Sequence, residues 1–320
     1  MNISIELKKR FCKECRIPIG VYIEPIFHQR LELYDTYYNT IDKWITFIDG
    51  LRGFKNEQDY FEHYNYVKEE AIQQIKSSTA YKNFNEENMD QFKITHQHLP
   101  KIDIFEPHND KRTFISIDMK KANFSALRYY DKKFKSNESM FLNADTWEDF
   151  ISNFTSNLHL INSKYVRQVI LGNCNSRRHT TYEKYIMDNI ITALKKDVNE
   201  KIVFFSNDEI IFDVTELDVE TRIKRHAFIS EKLVNSPIPF RVELFTVHKI
   251  EGTNGYYKEI YDIAKPKQPQ IEFKCLDSYI LPFVIRKFKN EETNPDSEND
   301  KIFYQNGLLS KFLETPTIII

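Results

Sequence analysis

Three acidic residues stand within apolar stretches, where a charge is costly. Asp118 directly follows the strand-like run 114–117, and Asp208 and Glu209 lie between the apolar runs 202–205 and 210–214. A carboxylate in such a setting is destabilising unless it is paired or binds a metal ion. Carboxylates on adjacent strands can hold two hard cations, one activating an attacking hydroxyl and the other stabilising a leaving pyrophosphate. The acids therefore predict metal-assisted phosphoryl transfer, with ion pairing to Lys or Arg as the alternative.

The residues that follow Asp118 favour the catalytic interpretation. Segment 118–125 reads Asp-Met-Lys-Lys-Ala-Asn-Phe-Ser. It resembles the first palm motif of reverse transcriptases and related polymerases, in which a metal-binding Asp precedes a small residue, an aromatic residue, Phe and Ser. The resemblance implies that Asp118 binds both metals. The nucleotide-binding residues that it implies here are Met119, Lys120, Asn123 and Phe124. Asn123 replaces the aromatic residue that excludes a ribose 2′-hydroxyl, which implies tolerance of ribonucleotides.

A glycine loop follows at the position expected for that family. Gly172 has Ser176 four residues later, and a helical stretch then leads to the acidic segment. Leu171 departs from the pattern, because reverse transcriptases carry Gln before this Gly. The resemblance implies that Gly172 contacts the incoming nucleotide. The basic residues that flank the loop and would hold a triphosphate or template backbone are Arg167, Arg177 and Arg178, with Lys164 beside them. Solvent-facing helical positions are the alternative for these residues.

The acidic segment Ser206-Asn207-Asp208-Glu209 completes the resemblance. It implies that Asp208 is the second metal ligand and that Glu209 is the third acid of the site, in place of the usual second Asp. The same segment, continued through Thr215, also resembles Y-family translesion DNA polymerases. The resemblance therefore implies the palm superfamily, over about a third of the chain, without choosing between these families.

Hydrophobic periodicity predicts an α+β fold with an antiparallel, palm-like sheet covered by helices. Residues 1–100 have helical spacing and would form a fingers-like N-terminal region, and residues 101–265 would form the palm-like catalytic domain. Residues 266–320 would be a C-terminal extension with a disordered acidic loop at 290–300, a helix at 303–313 and no recognisable thumb. The predicted strands are 102–105, 113–117, 202–205, 210–214, 240–248 and 256–262. The predicted helices after residue 100 are 121–130, one opened by Thr146, one ending near Gly172, 180–195 and 219–234.

Composition limits the partners. The formal net charge is −2, so any contact with nucleic acid must be local. The bases that cluster after Asp118 are Lys120, Lys121, Arg128, Lys132, Lys133 and Lys135, with a solvated basic face as the alternative. No run of eighteen apolar residues occurs and the first sixteen residues are rich in charge, so neither a membrane span nor a signal peptide is expected. A cytoplasmic location follows as the prediction.

These observations predict a nucleotidyltransferase that adds nucleotides to a nucleic-acid 3′-hydroxyl with Mg²⁺ or Mn²⁺. Its partners would be nucleoside triphosphates and an RNA or DNA primer-template, with a protein partner subunit as a further candidate. The rival hypothesis is a catalytically inactive palm-fold subunit that binds nucleic acid or protein.

Overall fold

The computed structural model describes residues 3–134, 138–262, 268–294 and 296–320. It confirms a mixed fold in which helices accompany an antiparallel sheet. The helices are α1 (Ile5–Cys15), α2 (Ile26–Tyr38), α3 (Thr40–Leu51), α4 (Glu57–Ser77), α5 (Thr79–Glu86), α6 (Ala122–Phe134), α7 (Trp147–Ile151), α8 (Leu158–Asn162), α9 (Lys164–Gly172), α10 (Ser176–Leu194), α11 (Val219–Val234), α12 (Leu281–Lys289) and α13 (Ser297–Asp300). The strands are β1 (Thr113–Met119), β2 (Lys201–Phe205), β3 (Glu209–Asp213), β4 (Phe240–Lys249), β5 (Tyr256–Ile260), β6 (Gln270–Lys274), β7 (Ile302–Gln305) and β8 (Leu308–Lys311).

Local signals explain the helices that the sequence predicts well. The Asn56 side chain caps α4 by accepting the Asp59 amide at 3.0 Å, and the helix then buries a stripe at three- and four-residue spacing: Tyr60, Tyr64, Val67, Ala71 and Ile75. Thr146 caps α7 as predicted, because its hydroxyl accepts the Asp149 amide at 3.1 Å. Such caps satisfy amides that the helix itself leaves unpaired.

Six strands form one antiparallel sheet in the order β2-β3-β1-β4-β5-β6. The helices from α6 to α10 connect β1 to the β2–β3 hairpin, and α11 connects this hairpin to β4. The first four strands thus follow a β-α-β-β-α-β course, with β1 inserted between β3 and β4. The topology brings together segments that are about ninety residues apart in sequence.

The two faces of the sheet differ. Ile115, Ile117 and Met119 join the main hydrophobic core with the helices, whereas Phe114 belongs to a smaller cluster on the opposite face. Because strand side chains alternate between faces, Asp118 lies on the face of Phe114, away from the main core. The smaller cluster covers one end of this second face and includes Ile104, Ile211, Phe245, Val247, Tyr256 and Ile260.

Buried side chains from all three regions predicted from the sequence belong to one hydrophobic core, and the second and third regions share the sheet. The main core contains buried side chains from Leu7 in α1 to Ile285 in α12, together with one face of β1. Strand β6, which lies beyond residue 265, pairs with β5. The predicted boundary between residues 265 and 266 falls outside the described residues.

Two predictions of secondary structure are wrong. Segment 102–105 is irregular, and it uses Ile104 to cover the sheet face instead of forming a strand. Segment 303–313 is not a helix but forms the β7–β8 hairpin. Its Asn306-Gly307 loop has φ values of 51° and 82°, and Asn-Gly favours this two-residue turn, which needs positive φ at both positions.

The acidic segment 290–300 is not a disordered loop over its described part. Pro295 lies outside the described residues, but residues 297–300 form α13 and Asp300 is buried. Asp300 accepts hydrogen bonds from Arg30 of α2 and Arg286 of α12. Arg30 is remote in sequence and Arg286 lies just before the acidic segment, so the charge pattern within 290–300 did not reveal these partners.

Candidate active site

The structure brings two of the three predicted acids onto directly paired positions. Asp118 of β1 lies opposite Glu209 of β3, and its other strand neighbour is Arg241 of β4. Asp208 precedes Glu209 at the end of the β2–β3 connection. Alternation of side chains places Asp118 and Glu209 on the sheet face that is turned away from the main core. Asp118 and Glu209 therefore lie at the same end of adjacent strands, with Asp208 next in the chain.

The turn that carries Asp208 is held by backbone and hydroxyl contacts. Ser206 accepts the Glu209 amide through its hydroxyl at 3.1 Å, and the same hydroxyl lies 3.2 Å from the Asp208 carboxylate, to which it donates. The Met119 amide donates to the Asp208 carbonyl at 2.8 Å. These contacts attach the turn to β1, so the positions of Asp208 and Asp118 relative to each other are fixed.

Burial and mutual repulsion perturb the acids. Burial raises the pKa of Asp118; Arg241 opposes this shift, whereas the charges of Asp208 and Glu243 add to it. Burial also raises the pKa of Glu209, to about 7, with Lys258 opposing the shift and Asp118 and Asp208 adding to it. Negative charge at this site is therefore only partly compensated, a pattern that is common at functional sites.

Glu209→Gln is expected to raise the free energy of unfolding at pH 8 by up to about 3 kcal/mol, the equivalent of the shift in the pKa of Glu209. The folded protein holds the Glu209 proton more tightly than the unfolded chain does. The stability that proton binding at Glu209 contributes is therefore complete below the ordinary pKa of a glutamate and is lost as the pH rises through about 7. Urea unfolding at pH 5 and pH 8 should show a much smaller gain at pH 5. Exposed Glu216 provides the control variant Glu216→Gln, and an equal gain at both pH values would contradict the assignment.

Arg241 is the main residue of the site that the sequence did not single out. Its guanidinium lies 3.3 Å from the Asp118 carboxylate and 3.1 Å from Glu243 on its own strand. The polar residues at 241 and 243 alternate with apolar ones along β4, which is a signal that they share a face. The sequence alone could not show that this face is the one that carries Asp118, since that depends on the pairing of β4 with β1.

The positive charges of Lys164 and Arg167, two predicted bases of α9, are only partly balanced by nearby acids. Burial lowers the pKa of Lys164; Arg16 and Arg167 lower it further, while Asp118 acts in the opposite direction. Burial also lowers the pKa of Arg167, against the effect of Glu148. The Arg167 Nε is buried and has no hydrogen-bond partner among the described residues. Positive charge thus accumulates near Asp118, where an anion would be attracted.

A cavity adjoins this basic group. It measures about 430 Å³ and is lined by Arg16, Lys43 and Lys164, together with the acids Glu14 and Asp42 and residues of α3 and α8. Glu14 is already engaged, because His159 lies 2.6 Å from its carboxylate. The cavity therefore offers cations on its wall, one of which, Lys164, also interacts electrostatically with Asp118.

Several predicted nucleotide-binding side chains have structural roles. Met119 is buried in the main core, and Phe124 is buried with its ring edge-on to Phe141 and Trp147. Arg178 donates to the carbonyls of Phe84 and Glu87 at the end of α5. These side chains are committed to packing or to internal hydrogen bonds, so their predicted contact with a nucleotide has no support in their surroundings.

The remaining predicted positions are more accessible. Lys120 is exposed at the end of β1, and half-buried Asn123 accepts the Phe124 amide at 3.0 Å at the start of α6. Gly172 and Arg177 are exposed near the α9–α10 connection. A Cβ added at Gly172 would meet no atom within 4 Å, so no close approach requires glycine there. The roles of these four residues stay predictions.

The basic cluster after Asp118 is largely paired. Lys121 binds Glu148 at 2.6 Å, and Lys132 binds Asp145 at 2.5 Å, where Arg128 also donates. Lys135 lies outside the described residues. Such pairing reduces the positive charge that this face offers to a nucleic acid, in agreement with the alternative of a solvated basic face.

The candidate metal ligands of this site are carboxylates. Within the described residues, no three His, Cys, Asp or Glu side chains lie close enough to hold a metal ion together. Carboxylate oxygens are nevertheless the ligands that Mg²⁺ and Mn²⁺ prefer, and burial together with the neighbouring acids raises the pKa of Glu209, a penalty that a nearby cation would relieve. Oxygen donors of this kind suit these metals in chemistry, and the assignment of Asp118, Asp208 and Glu209 as ligands stays a prediction.

Comparison with known proteins adds no relatives. No protein-family model matches the sequence, and no curated protein or solved structure is significantly similar to it. No helix in the described parts of the chain has both the length and the apolar character needed to cross a membrane.

Proposed function

We propose that this protein is a metal-dependent nucleotidyltransferase with a palm-like sheet, which adds nucleotides to the 3′-hydroxyl of a nucleic acid. The proposal depends on one observation: Asp118 and Glu209 are directly opposite each other on adjacent strands, with Asp208 next in the chain. Three carboxylates at one end of a sheet are the group that two-metal phosphoryl transfer uses. The resemblance of the sequence to polymerase palm motifs selects the same three residues.

Each group has a distinct role in the proposed reaction. Asp118 and Asp208 would hold Mg²⁺ or Mn²⁺, with Glu209 as a third oxygen donor, and the metal supplies an activated hydroxyl and charge stabilisation on the leaving pyrophosphate. Lys164 interacts electrostatically with Asp118, and Arg167 with Lys164, in a partly buried setting where a cation attracts phosphate more strongly than in water. They would orient the triphosphate beside the acids.

The sheet face that carries the acids would also receive the primer-template. The main core and its helices lie on the other face, and the smaller apolar cluster covers only the far end of the acidic face. A primer terminus could therefore reach Asp118 without displacement of a helix. Asn123, at the start of α6, would permit a ribose 2′-hydroxyl, in accordance with the sequence prediction.

Primer extension tests the proposal directly. Wild-type protein is expected to incorporate nucleotides in the presence of Mg²⁺ or Mn²⁺ but not with chelator, while Asp208→Ala abolishes incorporation and Glu216→Ala does not. RNA and DNA templates, each with ribo- and deoxyribonucleotides, identify the substrate class. Equal incorporation by wild type and Asp208→Ala, or none by either protein, would contradict the proposal.

A second candidate is a catalytically inactive subunit that keeps the same fold as a binding module. The ion pair of Asp118 with Arg241, at 3.3 Å, favours it because a structural ion pair also accounts for an acid on this strand. In that case, nucleic-acid binding by fluorescence anisotropy would be insensitive to Mg²⁺ and to Asp208→Ala. Loss of nucleotide incorporation in that variant, with unchanged nucleic-acid binding, would exclude it.

A further inference from the structure

Arg241 lies among carboxylates from three strands. One nitrogen of its guanidinium is 3.3 Å from Asp118 of β1, and the other is 3.1 Å from Glu243 of β4 and 3.9 Å from Glu272 of β6. Among the described residues, no other base forms an ion pair with Asp118. The guanidinium is therefore the main positive charge that balances this acid, with a smaller contribution from Lys164.

The contacts on the two sides of Arg241 differ in how firmly they are supported. Glu243 is mostly buried and also binds buried Lys258 at 2.7 Å, and Glu272 binds Lys274 at 2.9 Å. Asp118 has only the Arg241 ion pair. If Arg241 left Asp118, it would keep two carboxylate partners, and these partners would stay fixed by their own lysines.

The Arg241 side chain can make such a shift because it is not enclosed. Its side chain is 46% exposed, compared with 10% for Glu243. Loss of the Asp118 contact would leave its second guanidinium nitrogen to water, which solvates an exposed cation at little cost. A small rotation toward Glu243 and Glu272 is therefore sufficient, and no strand has to move.

We propose that the Arg241 guanidinium forms an ion pair with the Asp118 carboxylate when no metal is bound. It shifts to Glu243 and Glu272 when a divalent cation binds Asp118. This inference depends on the proposed function, since it assigns Asp118 as a metal ligand. Arg241 is a positioning residue that sets the metal concentration at which the site fills. It also prevents Asp118 from remaining buried without a counter-charge when no metal is present.

Metal affinity measures this competition without recourse to enzymatic activity. A positive charge next to a metal ligand opposes cation binding, so R241Q is expected to bind Mn²⁺ about tenfold or more tightly than wild type, as measured by electron paramagnetic resonance of free Mn²⁺. R241K retains the charge and is expected to bind within about threefold of wild type. The double variant D118N/R241Q is expected to lose the gain.

Arg112 provides a matched control. It forms an ion pair with Asp213 on the same pair of strands as Asp118 and Glu209, but at their other end. R112Q therefore removes a comparable charge without touching the site, and its Mn²⁺ affinity is expected to equal that of wild type. A similar gain in R112Q and R241Q would overturn the inference, because it would reflect overall charge.

The outcomes separate the inference from the proposed function. Measurable Mn²⁺ binding by wild type, with no gain in R241Q, would overturn the role of Arg241 and leave the metal site intact. Absence of Mn²⁺ binding from wild type and R241Q alike would overturn both proposals.

A second measurement covers the case in which R241Q does not fold. The Nε–Hε NMR signal of Arg241 in wild-type protein, assigned by its absence from R241K, is expected to shift on saturation with Mg²⁺ while that of Arg112 does not. An unshifted Arg241 signal at saturating Mg²⁺ would also overturn the inference.

Discussion

Asp118→Asn is expected to reduce nucleotide incorporation at least about 100-fold while leaving the folded protein at least as stable as wild type. Incorporation falls because a neutral amide oxygen is a poor ligand for a hard divalent cation. Stability is retained because burial and the charges of Asp208 and Glu243 already disfavour the Asp118 carboxylate, as its raised pKa shows. Arg241 keeps Glu243 as a partner at 3.1 Å. Primer extension and thermal unfolding of the same preparations check the two parts.

This combination separates a catalytic acid from a structural one. If Asp118 served only the ion pair with Arg241, its neutralisation would leave nucleotide incorporation unchanged. Glu216→Gln, on an exposed residue, controls for loss of a carboxylate elsewhere. Normal incorporation by Asp118→Asn would contradict the assignment of Asp118 as a metal ligand.

Asp300→Ala is expected to lower the free energy of unfolding by about 3–5 kcal/mol. Asp300 is 3% exposed and accepts hydrogen bonds from Arg30 and Arg286, which are themselves buried. Its removal leaves two buried guanidinium groups without their shared counter-charge and weakens the attachment of α13 to α2 and α12. Urea unfolding followed by circular dichroism measures the loss.

A neighbouring acid supplies the control for this variant. Glu298 lies on the same short helix, but it is 65% exposed and pairs with Lys301 and Lys311. Glu298→Gln is therefore expected to leave the free energy of unfolding nearly unchanged. A similarly small effect of Asp300→Ala would restore the prediction of a disordered acidic segment.

The elements predicted most accurately are those with complete local signals. Helix α11 runs over the predicted residues 219–234, because Asp218 caps it and accepts the Thr221 amide at 2.9 Å. The β7–β8 hairpin was missed although its Asn306-Gly307 turn is visible in the sequence, since the surrounding apolar residues also fit a short helix. The structure of segment 290–300 could not be predicted from its own composition, because the partners of Asp300 lie outside it. Arg30 is in α2 and Arg286 is in α12.

The acids of the candidate site were predictable, but their electrostatic environment was not. Asp118, Asp208 and Glu209 are conspicuous because apolar residues flank them on strands. Arg241 became visible only through the register that pairs β4 with β1. Conversely, Phe124 matched the first motif and Arg178 flanked the glycine loop, yet both have internal roles. Phe124 packs against Phe141 and Arg178 donates to the Phe84 carbonyl, partners that the sequence could not reveal.

Strand β1 has hydrogen-bonded neighbours on both sides, and Ile115 and Ile117 at its centre are fully buried. Its backbone can open only when two ladders and the core separate together, whereas outer strands can fray singly. The Asp118 carboxylate is thus anchored to a segment of the sheet that resists local fluctuation more than the edge strands do. Whatever adaptation a ligand requires must come from side chains and from the β2–β3 turn.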